Sequence, residues 1–226
     1  SLMITDLYNH PIEGYYDKID IHSLLHMTIL NTLSKNIDGF RYSFFLHKDN
    51  DKIDDRLTFG PIWDYDRAFG NASYQDAFNP EDWFMDLLID MPFWVNKIWN
   101  DPVYRNYFNI QTQAYFSSIL SENSINNLID SLVNELDYSI NLNFQVWPIL
   151  SERIWPNYYV GGYYENEIVY LKNWILNRRN WMNENIGYTT IDYTSDIKIN
   201  EFLTKNNSSS ADENGEFEDW IELYNT

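Results

Sequence analysis

Three aspartates at two places in the chain carry the chemistry that this sequence could perform. Asp38 precedes Gly39 in KNIDGF, while Asp64 and Asp66 stand one residue apart in GPIWDYDRAFGN, residues 60–71, among Trp63, Tyr65 and Phe69. Carboxylates beside so much apolar surface are costly unless something pairs with them. Brought onto one rim they repel, and a divalent cation or a shared proton would stabilise them. Mg²⁺ in particular takes one or two carboxylates and completes its shell with water and phosphate oxygens. The plainer reading makes Asp38 a turn residue before Gly39, with Asp64 and Asp66 capping YDRAFG.

Whether the three acids meet depends on the elements that carry them. FRYSFFLH, residues 40–47, alternates as a strand does, and LTFGPIW, residues 57–63, reads as a second one. The polar stretch between them predicts an antiparallel hairpin, with residue 47 near 57 and residue 40 near 64. Asp38, before the first strand, then shares a rim with Asp64 and Asp66, after the second. Upstream, Asp20 caps a helix whose Leu24, Leu25, Thr28, Leu30 and Leu33 predict deep burial.

From Glu81 onward the pattern is helical. SINNLIDSLVNELDYSI predicts an amphipathic helix with Leu128, Leu132 and Leu136 on one face. YYENEIVYLKNWILNRRNWMNENIG predicts another, striped by Ile168, Leu171, Ile175 and Met182 and ended by Gly187. Arg178 falls on that stripe, where it needs a carboxylate such as those of the Asp64/Asp66 rim, or loop carbonyls to cap. WPILSERIWPNYYVGGYY between the helices reads as a long packed loop. The expected class is α+β, mainly helical with a small antiparallel hairpin. After Gly187 come a linker, residues 188–196, and two short strands, IKINEFLTKN and DWIELYN, too few to build their own core.

The chain has 226 residues, 44% hydrophobic and 18% aromatic, enough for one sizeable core. A formal net charge of −19 counts against nucleic-acid phosphate or an anionic membrane as partner. With no cysteine, thiolate zinc sites and disulfides are excluded. No apolar run of about 18 residues could span a bilayer. His22 and His26 share a helix face, but no H-E-x-x-H pattern or third ligand accompanies them, so they read as packing residues. DNDKIDD, residues 49–55, has Ile53 at a calcium-ligand position and lacks the loop glycine, so it reads as a solvated loop. The aromatic stretch WPNYYVGGYY could line a sugar-binding groove, though such residues usually fill a core.

KNIDGFRYSFFLHKDND followed by LTFGPIWDYDRAFGN resembles the spore-coat-protein-H (CotH) kinase family, and YLKNWILNRRNWMNENI resembles that family's closing helix. The resemblance runs from about Tyr15 to Gly187. It implies an atypical protein-kinase fold that transfers the γ-phosphoryl group of ATP to serine in a protein substrate, with Mg²⁺ or Mn²⁺. Carried over by motif, Asp38 matches the catalytic-loop aspartate, and Asp64 with Asp66 matches the metal-binding segment. Ser43 stands where ordinary kinases place a metal-binding Asn. The family's N-terminal lobe has no counterpart before Tyr15, so residues 1–187 read as a C-terminal lobe cut from a longer protein and inactive alone. INEFLTKNNSSSADENGEFEDWIELYN resembles the start of a lamin-tail domain, a β-sandwich of bacterial surface proteins, which implies an extracellular or cell-surface setting. The rival functions are a non-catalytic surface or adhesion module and a carbohydrate-binding module, with a surface glycan or protein as partner.

Overall fold

The computed structural model describes residues 15–87, 91–187, 197–203, 206, 208, 211 and 214–225. The chain forms two compact units, residues 1–187 and 188–226. The first is built around one helix, α1, Ile21–Ser34. The Asp20 carboxylate accepts from the His22 and Ser23 N–H groups at 3.1 and 3.4 Å and so caps its start. Leu24, Leu25, Met27, Ile29 and Leu33 are buried together with Thr28, Asn31, Thr32 and Ser34, so α1 is enclosed on nearly every side. Its buried hydroxyl at Thr28 is satisfied by the Leu24 carbonyl and by Tyr104 OH, 2.6 Å away.

Around α1 lie β1, Leu46–Lys48; β2, Leu57–Phe59; α2, Phe84–Leu87; α3, Phe93–Trp99; α4, Pro102–Phe116; α5, Glu122–Val146; and α6, Tyr164–Asn185. Tyr15, Phe40, Phe84, Trp99, Tyr104, Phe108 and Met182 join α1 in the main core. Trp83 meets Trp99, Phe108 and Trp181 at ring-centroid distances of 5.1–6.1 Å, the tilted arrangements that aromatic quadrupoles favour. Tyr15 OH donates to Asp101, which also caps α4.

The hairpin exists and is antiparallel, but it is shorter than the alternation predicts. Only residues 46–48 pair with 57–59, and His47 faces Thr58, a shift of one residue from the expected register. Residues 37–43 form turns instead of strand. Phe40 has φ +64° and is wholly buried, so its ring is spent on the core and not on a sheet face. The second strand stops where Gly60 turns to φ +132° and Pro61 offers no N–H. Leu57 clamps the hairpin to the start of α1: its N–H donates to Lys18 O at 2.8 Å and its carbonyl accepts from Asp20 N–H at 2.9 Å.

The other end of α1 is held by cations. Lys35 adopts a left-handed conformation, φ +47°, as the C-cap. Its ammonium donates to the carbonyls of Asp76, Asn79 and Glu81 at 2.8–2.9 Å. Arg178, from α6, is the second. Its Nε and Nη2 donate to Thr32 O at 3.0 and 2.9 Å, and its Nη1 to Pro80 O and Asp82 O at 2.9 and 2.7 Å. Lys35 is 1% exposed and Arg178 0%. Burial pushes the Lys35 ammonium down to about 8, opposed mainly by Asp76, and the Arg178 guanidinium down to about 9, opposed by Asp82. Arg178 takes main-chain carbonyls, those of Pro80 and Asp82 in a loop, as one of the two sequence readings allows, and that of Thr32 in the last turn of α1.

In α6, Ile175 and Met182 are buried as the stripe predicts, with Trp174 beside them. Arg179 caps the end of α4 through the Phe116 and Leu120 carbonyls at 2.8 and 2.9 Å. In the second unit, β3, Ile197–Leu203, pairs antiparallel with β4, Trp220–Asn225, with an irregularity between Ile199 and Glu201. The expected linker, residues 188–196, lies outside the described residues.

Arg178→Lys keeps the charge but loses the fork that spans three carbonyls. It should lower stability by about 2–4 kcal/mol, since buried acceptors are left unpaired, and Arg178→Met should cost at least as much. Urea unfolding midpoints of both variants beside the parent chain measure it.

Candidate functional site

The turn after α1 places Asp38. Its N–H donates to Asn36 Oδ1 at 3.2 Å, and its carbonyl accepts from the N–H groups of Arg41, Tyr42 and Ser43 at 2.9–3.2 Å. The turn is pressed onto α1: a Cβ at Gly39 would stand 2.7 Å from Cγ and Oδ1 of Asn31. Only glycine fits there without displacing a buried side chain.

The DYD segment is pinned to the same helix by two hydrogen bonds. Tyr65 points inward and donates to Asn31 Oδ1 at 2.6 Å, and burial pushes its phenol up to about 12. Phe69 N–H donates to Ser34 O at 2.7 Å. Asp64 and Asp66, either side of Tyr65, are exposed. Asp64 sits at φ +59°, a left-handed conformation that non-glycine residues hold only where their surroundings impose it. Gly70, at φ +79°, closes the segment, and a Cβ there would lie 2.4 Å from the Trp174 ring. Asn71 Nδ2 donates to Asp66 O at 2.7 Å.

Ser43 joins the two segments. Its Oγ donates to Asp64 Oδ2 at 3.3 Å while its N–H donates to Asp38 O at 3.1 Å. Asp38, Ser43 and Asp64 thus share one end of the hairpin. The Asp38 carboxylate, 15% exposed, accepts from Arg67 Nη1 at 3.2 Å. Arg67 Nη1 also donates to Tyr74 OH at 2.9 Å. Tyr74 and Asp38 together raise the guanidinium's affinity for its proton.

Trp155 stacks on Tyr74, centroids 6.2 Å apart, from the loop between α5 and α6. That loop is fastened by Ser73 N–H to Pro156 O at 2.8 Å and Tyr158 N–H to Asn71 O at 2.7 Å. Arg67 is the residue that sequence reading passes over. Its only signal is a cation placed directly after the second aspartate.

Among the described residues no group of three or more His, Cys, Asp or Glu is placed to hold a metal ion. Asp64 and Ser43 supply one carboxylate and one hydroxyl within hydrogen-bond distance, which fits Mg²⁺ only where water and phosphate oxygens complete the shell. His26 Nε2 lies 2.7 Å from Tyr115 OH, and His22 and His26 are both exposed, so His26 hydrogen-bonds and neither is packed in the core. In the hairpin loop Asp51 pairs with Lys48 and Asp54 with Arg56, so both acids are engaged by side-chain cations. Among the described residues no helix is long and apolar enough to cross a membrane.

A family model described as CotH kinase protein matches residues 2–182. No curated protein and no solved structure matches the chain.

Gly39→Ala should force the Asp38 turn away from Asn31 and cost about 1–3 kcal/mol, as overpacking of a tight contact does. Gly70→Ala should cost more, because it adds a left-handed φ to the clash with the Trp174 ring. Thermal and urea midpoints of the two variants rank the contacts.

Proposed function

This chain belongs to the CotH kinase family, and from that premise we propose that its protein transfers the γ-phosphoryl group of ATP to a serine hydroxyl of a protein acceptor. The observation that carries the reading is the connection of Asp38 to Asp64 through Ser43, at 3.1 and 3.3 Å. It sets one half-buried and one exposed carboxylate at a common end. Asp38 accepts the proton of the attacking hydroxyl while the serine oxygen bonds to phosphorus and the bond to ADP breaks. Asp64 and Ser43, with Asp66 from the same segment, would hold Mg²⁺ or Mn²⁺ with the nucleotide, and the metal would supply neutralisation of phosphate charge. Arg67 positions the Asp38 carboxylate and is itself braced by Tyr74. In this reading residues 197–226 begin a lamin-tail domain, and the protein works at the cell surface.

A second reading rests on the same pair. Arg67 already occupies Asp38 Oδ2, and Ser43 stands where a stronger metal ligand would help. A non-catalytic surface module would tolerate both.

Transfer from radiolabelled ATP by the natural full-length protein, with Mg²⁺ or Mn²⁺, separates the two. Asp38→Asn should lower kcat by about 10²–10⁴-fold and leave nucleotide affinity nearly unchanged, since a general base acts in the transition state. Asp64→Asn should instead weaken metal-dependent nucleotide binding in calorimetry. Arg67→Ala should lower kcat by about 10–100-fold with KM little altered, the cost of a misplaced base, and Arg67→Lys should recover part of it. An unmutated protein that neither transfers phosphate nor binds nucleotide with either metal would establish the surface module.

A further inference from the structure

Helix α5 carries an apolar arc that is only half covered. Ile125, Ile129 and Val133 pack with Ile168, Leu171 and Ile175 of α6. One step around the helix, Leu128, Leu132 and Leu136 repeat at every fourth residue and are 61%, 51% and 48% exposed. A single exposed leucine means little, but three in line form a continuous strip of the kind that marks an interaction surface. A helix whose apolar arc is this wide has the pattern of one packed between two neighbours, and α6 is one of them.

Beside the strip, on the α6 side of the helix, lies a recess. At Asp137 the helix breaks, with φ +24° and ψ −107°. A cavity of about 560 Å³ opens there between α5 and the start of α6, lined by Asp137, Glu165, Asn134, Asn141, Ile140 and Ile168 among others. None of the residues lining it is basic. Residues 122–146 contain Glu122, Asp130, Glu135 and Asp137 but no Lys or Arg. Glu135 lies seven residues after Leu128, two turns along the same face. On α6, Lys172 is already paired with Asp130 at 2.5 Å.

From the strip, the recess and the one-sided charge we infer that this face of α5 docks a cationic amphipathic helix of a partner protein. Its leucine-type residues cover Leu128, Leu132 and Leu136, and a Lys or Arg enters the recess between Asp137 and Glu165. Charge complementarity selects this occupant. A second copy of the same face would set acids against acids, so self-association through α5 is disfavoured. The surface is separate from Asp38 and Asp64 and does not depend on phosphoryl transfer.

The probe is a fluorescein-labelled synthetic peptide of about 18 residues, five helical turns, with Leu at helical spacing and Lys elsewhere. Its binding to the full 226-residue chain is followed by anisotropy at about 0.15 M salt, where long-range attraction is screened. A scrambled isomer of equal charge and an analogue with Glu for Lys serve as comparisons. The helical peptide should bind at least about tenfold more tightly than the scrambled one, and the Glu analogue should not bind.

Leu132→Asp should weaken binding by about tenfold or more although it adds a negative charge, which separates apolar docking from bulk attraction. Leu128→Asp, at the most exposed of the three, repeats the test should Leu132→Asp lower the melting temperature. Asp137→Asn with Glu165→Gln should weaken binding by about threefold or more and flatten its salt dependence. Equal binding of helical and scrambled peptides, or affinity unchanged by either leucine substitution, would overturn the proposal. So would a dimer of the chain in sedimentation velocity that Leu132→Asp abolishes.

Discussion

The C-terminal end of α1 and the two buried cations gathered at it are the constraint on which the rest of the first unit depends. A helix end leaves its last carbonyls without partners, and here that end is inside the protein, away from water. Thr32 O takes the Lys35 N–H and two nitrogens of Arg178. The same two cations reach across to the carbonyls of residues 76–82. One arrangement therefore stops α1, fixes the loop that follows the DYD segment and ties α6 to both. Positive charge at a helix C-terminus is favourable in itself, but burial works against it, as the lowered proton affinities of both groups record. Carbonyl oxygens with full geometry are what make such burial tolerable.

The candidate site hangs from that same helix end. Asn31, one turn from the cap, receives Tyr65 and limits how close the Asp38 turn can come. Ser34 O receives Phe69 N–H. Both acidic segments are thus indexed to α1 and only secondarily to the two-stranded hairpin. Three paired residues per strand are a slight anchor for two carboxylate-bearing segments. A helix enclosed on nearly every side is a firmer one.

Local signals in the sequence were legible, and contacts between distant segments were not. Asp20 before Ile21 announced a cap, and the Ile175/Met182 stripe announced the buried side of α6, because caps and periodicity depend on neighbours a few residues away. Residues 40–45 misled because an aromatic run that alternates has the composition of a strand; the burial of Phe40 in the main core at positive φ is a tertiary outcome. Lys35 as a left-handed cap with three carbonyl ligands carried no local mark. Arg178 was recognisable as inward, but its partners were 96 to 146 residues away. The three aspartates stood out by residue type and spacing, whereas the cation beside Asp38 did not. Arg67 reads as an ordinary surface arginine until the turn after α1 brings Asp38 to it.

That pairing bears on what the two aspartates after Trp63 face. Asp64 and Asp66 are exposed on either side of the half-buried Tyr65, where water solvates them and no buried partner is required. Asp38 is the one of the three that is substantially covered, and it is the one with a guanidinium against it. Arg67 in turn is not free to follow solvent: Tyr74 OH holds the same nitrogen, and Trp155 closes over Tyr74 from a loop fastened to residues 71–73. The ordering of a single carboxylate thereby draws on the segment after the DYD motif and on the long loop before α6. A loop more than 80 residues downstream in sequence is then part of what decides where the Asp38 carboxylate stands, which is how a candidate site of few residues comes to need the whole unit around it.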